Sequence, residues 1–149
     1  MHPLEIYLRD LRDIRSTGAA VKETSYYAPL ANLLNAGGQS LKPRVRCVIN
    51  LKNQGAGMPD GGLFTPDQFQ KGGDEPLDGQ MPSRGAIECK GTKDDAWVTA
   101  RGDQVSKYWD KYQQVLVTNY RDFVLVGRDD AGRPVLRETF RLAASEKAF

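Results

Sequence analysis

Leu4, Leu8 and Leu11 recur at i, i+4 and i+7, flanked by Tyr7 and Ile14, while Arg9, Asp10, Arg12 and Asp13 fill most positions between. That period predicts an amphipathic helix of about four turns, ended by Ser16-Thr17-Gly18 with Gly18 just past its last turn. A second helix is predicted from about Glu23 to Asn35, with Tyr26, Leu30, Leu33 and Leu34 as its apolar stripe. Pro29 falls in its first turn or two, where a missing N–H costs least, and Asn35-Ala36-Gly37-Gly38 is expected to stop it. Beyond that point the period drops to two. Arg44–Asn50, Asp60–Thr65, Gly85–Gly91, Val115–Thr118, Asp122–Val126 and Val135–Leu142 read as strands. A third helix from roughly Gly102 or earlier to Gln113 carries Val105, Tyr108, Trp109 and Tyr112 on one face. The order α-α-β-β-β-α-β-β-β predicts an α/β sandwich with a mixed sheet. Ala143–Phe149 reads as the start of another helix or a cut end.

Between Pro66 and Arg84 the periodicity disappears, and Gly, Asp and Pro accumulate. The stretch is longer than most loops. It reads as a mobile surface excursion, either a binding loop or simply an insertion, within a single domain spanning 1–149, because the strand after it must pair with the strand before it.

Composition narrows the classes. The 149 residues are 40% hydrophobic, enough for a core, and 27% charged with a net charge of only +2. Any nucleic-acid footprint must therefore come from local clustering rather than total charge. Lys42, Arg44, Arg46 and Lys52 form such a cluster, with scattered surface charge as its plain alternative. Cys47 and Cys89 sit in apolar strand-like runs without C-x-x-C spacing, and His2 is the single histidine. That count leaves almost no room for a Cys/His zinc site. Two reduced, buried thiols fit a cytoplasmic protein. No run approaches the roughly 18 apolar residues of a membrane span, and no secretion signal opens the chain.

The chemistry concentrates at Ala86-Ile87-Glu88-Cys89-Lys90. On a strand, Glu88 and Lys90 share one face with Ala86, and Ile87 and Cys89 point the other way. Upstream, the Gly-rich turn Asn53–Gly57 leads to Met58-Pro59-Asp60. Two carboxylates and a lysine converging at one point suit metal-assisted phosphodiester hydrolysis, which needs a positioned water and cations against developing phosphate charge. Hard oxygens suit Mg²⁺, which takes one or two carboxylates and keeps several waters. Asp60 and Glu88 can supply those ligands, with the Cys89 backbone carbonyl as a third. Lys90 is placed to hold or polarise the water, or to balance charge on the phosphate. Trp97 and Trp109 read as core aromatics, and Asp94-Asp95 as loop or cap residues.

Pro59-Asp60 … Glu88-Cys89-Lys90 resembles the signature of the PD-(D/E)xK nuclease superfamily. Gln104-Val105-Ser106-Lys107-Tyr108 is similar to the Q-x-x-x-Y motif of its RecB-like members, both residues sharing a helix face at i and i+4. The resemblance runs from Glu23 to Tyr108 and departs from the pattern in the long 66–84 segment. It implies a restriction-endonuclease-like mixed central sheet flanked by helices, and a Mg²⁺-dependent endonuclease for which Mn²⁺ substitutes. It implies that Gln104 and Tyr108 contact DNA or brace the site. Glu23 resembles the extra acidic residue near the metal, acting through water, against the plain reading of a carboxylate at a helix start. Thr92 and Lys93, just past the strand, are candidates for phosphate contact or simply a solvated loop.

The extended motif is also similar to the N-terminal nuclease domains of single-chain restriction–modification enzymes. By fold-level analogy, that implies DNA as partner and covalently linked translocase or methyltransferase domains, and leaves a dimer for double-strand cleavage open. A catalytically silent nucleic-acid-binding module and an RNA- or junction-specific nuclease are the rival readings.

Overall fold

In the computed structural model, residues 1–17, 23–49, 59–143 and 149 are described, Glu23 by its backbone alone. Gly18, the turn 53–57, Met58, Lys52 and most of the tail after Ala143 lie outside the described residues.

Helix α1 spans Pro3–Arg15. Proline suits its first position because that N–H has no intrahelical partner. His2 caps it: Leu4 N–H donates to His2 Nδ1 and His2 N–H donates to Glu5. Its buried residues are Tyr7 and Leu11, whereas Leu8 is 41% exposed, so the expected leucine stripe is rotated. Tyr7 takes the place of Leu8 because its hydroxyl donates to the Tyr120 carbonyl at 2.6 Å, which lets a large ring go inside with its polar tip satisfied.

A 3₁₀ turn, Glu23–Tyr26, leads into α2, Tyr27–Gly38. The glycine pair lies inside this helix rather than ending it before Gly37. A Cβ on Gly38 would stand 2.0 Å from the Val45 carbonyl oxygen, so only glycine lets the chain entering the sheet dock on the helix end. Asn35 fastens the same contact, its amide accepting from Cys47 N–H and donating to Cys47 C=O.

The sheet has six strands in sequential order: β1 Arg46–Ile49, β2 Gly61–Phe64, β3 Ala86–Cys89, β4 Val115–Thr118, β5 Asp122–Arg128 and β6 Pro134–Arg141. Every neighbouring pair is antiparallel except β3 and β4. A parallel pair needs a crossover, and α3 (Ala96–Ala100) with α4 (Asp103–Tyr112) supplies it. The sequence reading, which has one helix starting at roughly Gly102 or earlier, does not separate α3 from α4. Its start is set by Asp95, whose carboxylate accepts from the N–H groups of Trp97 and Val98.

Both faces of the sheet are covered. Ala86 packs with Val105, Tyr108, Trp109, Val117 and Val124 on the α4 side. Ile87 and Cys89 pack with Tyr7, Leu11, Leu30 and Tyr120 on the α1–α2 side. Strand β3 is thus buried throughout, and its two faces separate as alternation demands. Among the described residues no helix is long and apolar enough to cross a membrane.

The 66–84 segment is tied down along its length rather than structureless. Gln68, 6% exposed, donates to the Met81 carbonyl at 2.6 Å and accepts from the Ser83 hydroxyl at 2.7 Å. Phe69 stacks edge-on against Phe64 and bridges to Pro76. A single buried amide replaces the hydrophobic periodicity that a sequence pattern could show.

Cys47 and Cys89 are free and buried. Burial pushes the Cys47 thiol up to about 12, so it stays protonated in the fold. Because the ordinary value is 9.0, this group's contribution to stability is intact below pH 9 and falls as pH rises toward 12. Iodoacetamide at pH 8 is expected to leave both cysteines unlabelled in the native protein and to label both in urea, read by intact mass. Native labelling within minutes would contradict the burial.

Candidate active site

Strands β2 and β3 pair with Gly61 opposite Ile87 and Gly62 opposite Ala86. One residue further, the register sets Asp60 opposite Glu88. Glycine at 61 makes this approach possible, since a Cβ there would lie 2.8 Å from the Val48 carbonyl oxygen and 2.9 Å from Ile49 Cδ1. The chain therefore passes tight against β1 at the first residue of β2, and Asp60 is delivered to the end of β3.

Each oxygen of Asp60 is engaged. Oδ2 accepts from the Cys89 N–H at 2.7 Å and Oδ1 from the Tyr27 hydroxyl at 2.8 Å. The Cys89 carbonyl emerges on the same strand edge as its N–H, because both groups of one residue point the same way in a strand. Glu88 is 4% exposed. Both acids act on one neighbour: the buried Tyr108 hydroxyl is held above the usual phenol range, first by burial, then by the Glu88 charge, with a further push from Asp60. The hydrogen bond with Gln104 works in the opposite direction. Tyr108 sits midway along α4, within electrostatic reach of both carboxylates.

Lys90 is half-buried. Its N–H donates to the Thr118 carbonyl at 2.9 Å, which extends the β3–β4 ladder one step past Cys89. Two residues beyond Glu88 on the same extended strand, its side chain leaves on the Glu88 face. Gln104 is exposed and donates to the Tyr108 hydroxyl at 3.0 Å, so these two side chains meet across one helical turn.

The other candidates are placed less centrally. Thr92 is buried and its carbonyl accepts from Arg121 Nε at 2.9 Å, while Lys93 is exposed. Glu23 opens the 3₁₀ turn, and its side chain lies outside what is described. Arg46 turns to the 66–84 segment, its guanidinium 3.9 Å from the Phe69 ring centre and donating to the Gly73 carbonyl. Lys42 and Arg44 are exposed. Trp109 is a core residue whose indole N–H donates to the Gly127 carbonyl. Trp97 is partly buried beneath the Arg141 guanidinium.

Two features escape a sequence reading. Tyr27 touches Asp60; the one available signal is that it follows Glu23 by four residues. The β4–β5 turn anchors the loop after Lys90: Asn119 and Arg121 donate to the Asp94 carbonyl, and Arg121 also to that of Thr92. No motif marks it.

Among the described residues no group of three or more His, Cys, Asp or Glu side chains could hold a metal ion. The Asp60 carboxylate and the Cys89 carbonyl share the β2 edge of β3, and hard oxygens of this kind suit Mg²⁺.

No protein-family model matches the chain, and no curated protein does. Among solved structures it is similar to a chain of the cryo-EM structure of a DrdV–DNA complex, with a TM-score of 0.64 and 19% identity. The match covers 98% of this chain and 12% of that one. The mixed six-stranded sheet with helices on both faces is a restriction-endonuclease-like fold.

Proposed function

We propose that the chain is a Mg²⁺-dependent DNA endonuclease module of the PD-(D/E)xK type, RecB-like in its Q-x-x-x-Y pair. In this reading it is the cleavage module of a cytoplasmic restriction–modification enzyme. The observation that carries the reading is the Asp60 carboxylate held by the Cys89 N–H at 2.7 Å, one residue past Glu88, with Lys90 following on the Glu88 face. Asp60, Glu88 and the Cys89 carbonyl would hold the metal, and Glu23 would act on it through water. A bound Mg²⁺ would supply a Lewis acid against phosphate charge and an acidified water. Lys90 orients the attacking water and faces the phosphate oxygens. Tyr108 remains a neutral phenol and, braced by Gln104, walls the carboxylates from solvent. Exposed Lys93 flanks the strand end as a phosphate contact, whereas Thr92, buried against Arg121, does not.

DrdV is seen in complex with DNA, which supports DNA as the partner here. That this chain matches 12% of the DrdV chain accords with a module carried on a longer polypeptide beside translocase or methyltransferase domains.

The test is conversion of supercoiled plasmid to nicked and linear forms. Cleavage is expected with Mg²⁺ or Mn²⁺, to stop with EDTA, and to return when Mg²⁺ is restored. Structured RNA and four-way junctions run alongside separate the substrate classes. Cleavage that persists in EDTA would overturn the metal-dependent reading.

A further inference from the structure

Asp60 lies one residue before β2, which begins at Gly61. Its carboxylate is fixed by two donors from different parts of the fold. One is the Cys89 N–H at 2.7 Å, beside Glu88; the other is the Tyr27 hydroxyl at 2.8 Å. Tyr27 is the first residue of α2, partly buried among the α1–α2 core residues. A carboxylate has about four acceptor positions. One donor on each oxygen fixes the plane of the group and leaves an acceptor position on each oxygen. The Cys89 N–H alone would hold one oxygen and leave the group able to turn about that bond.

We infer that Tyr27 is a positioning residue that sets the affinity of the site for its divalent cation by fixing the Asp60 carboxylate. The inference rests on the proposal that Asp60 and Glu88 hold a metal. Partners that orient a ligating carboxylate from behind typically govern metal affinity by about 10- to 100-fold. Tyr27 contacts no reacting group, so its effect is on binding of the cation rather than on the chemical step. It also couples the site to α2: the helix whose 3₁₀ lead-in carries Glu23 is the one that aims Asp60.

The experiment is Mn²⁺ titration of the full chain, with free Mn²⁺ read by electron paramagnetic resonance, on the parent protein, Tyr27→Phe, Asp60→Asn and Glu88→Gln. Tyr27→Phe keeps the ring and removes the hydroxyl that donates to Asp60. It is expected to weaken Mn²⁺ binding about tenfold with thermal stability little changed. In metal-free buffer the Cys89 amide should exchange its hydrogen several-fold faster in this variant, because Asp60 is then held from one side only. Cleavage at saturating Mn²⁺ should return to within about twofold of the parent, while the half-saturating concentration rises by the binding factor. Parent-like Mn²⁺ affinity in Tyr27→Phe, with binding lost in Asp60→Asn and Glu88→Gln, would overturn the Tyr27 inference alone. Undiminished binding in the two carboxylate variants, or none in the parent, would overturn the metal-site reading and this inference with it.

Discussion

Glu88→Gln is expected to lower Mg²⁺-dependent DNA cleavage by on the order of 10³-fold while leaving the protein folded. Gln matches Glu in volume, so the packing around β3 is unchanged. What disappears is a negative charge and one hard ligand oxygen. A divalent cation supplies several kcal/mol to transition-state charge stabilisation, and each 1.36 kcal/mol is a factor of ten. Losing a ligand from a pair removes most of that. Glu88 is 4% exposed, and the amide keeps its shape, so the metal-free variant should retain the far-UV circular dichroism of the parent. Lys90→Ala separates the roles. It too should abolish cleavage, but Mn²⁺ binding should survive, since an ammonium is no ligand. Plasmid cleavage within tenfold of the parent in Glu88→Gln would sink the proposed mechanism.

The parts of this site that a sequence can show are those with local period. Glu88 and Lys90 are two apart on a strand, and Gln104 and Tyr108 four apart on a helix, so alternation and helical spacing each set one pair on one face. The meeting of Asp60 with Glu88 is harder to see. It depends on the β2–β3 register across the whole 66–84 segment, and on Gly61 letting β2 start close to β1. The segment itself is ordered by Gln68 through hydrogen bonds to backbone and side chains near it, and one buried amide leaves no hydrophobic pattern. Tyr7 displacing Leu8 from the α1 face has a similar origin: a hydrogen bond 113 residues away in sequence outweighs the periodicity of leucine. Helix α3 is too short, at five residues, to show a stripe.

The β4–β5 turn, which no motif marks, carries the largest stability prediction. Asp122 is 1% exposed and accepts from Arg121 Nη1 at 2.8 Å, Arg141 Nε at 3.0 Å and Asn119 Nδ2 at 3.4 Å. Arg121 is itself buried, at 7%. Its Nε donates to the Thr92 carbonyl and its terminal nitrogens reach those of Asp94 and Ala143. Those carbonyls orient the guanidinium, but its counter-charge is Asp122. Asp122→Ala leaves a buried cation without that charge, and breaking such a pair from one side costs about 3–5 kcal/mol. Against a total stability of about 5–15 kcal/mol, the melting temperature should fall by roughly 10 °C. Arg141→Ala removes a half-exposed partner of the same carboxylate and should cost about 1 kcal/mol or less. The double variant Asp122→Ala with Arg121→Leu should recover part of the loss, because the orphaned charge goes with its partner. The effect reaches the site as well: Arg121 grips the loop that follows Lys90, so Asp122→Ala should lower cleavage even at temperatures where it remains folded. Urea unfolding followed by tryptophan fluorescence decides it. A cost under 1 kcal/mol for Asp122→Ala would mean that the backbone carbonyls alone suffice to hold Arg121.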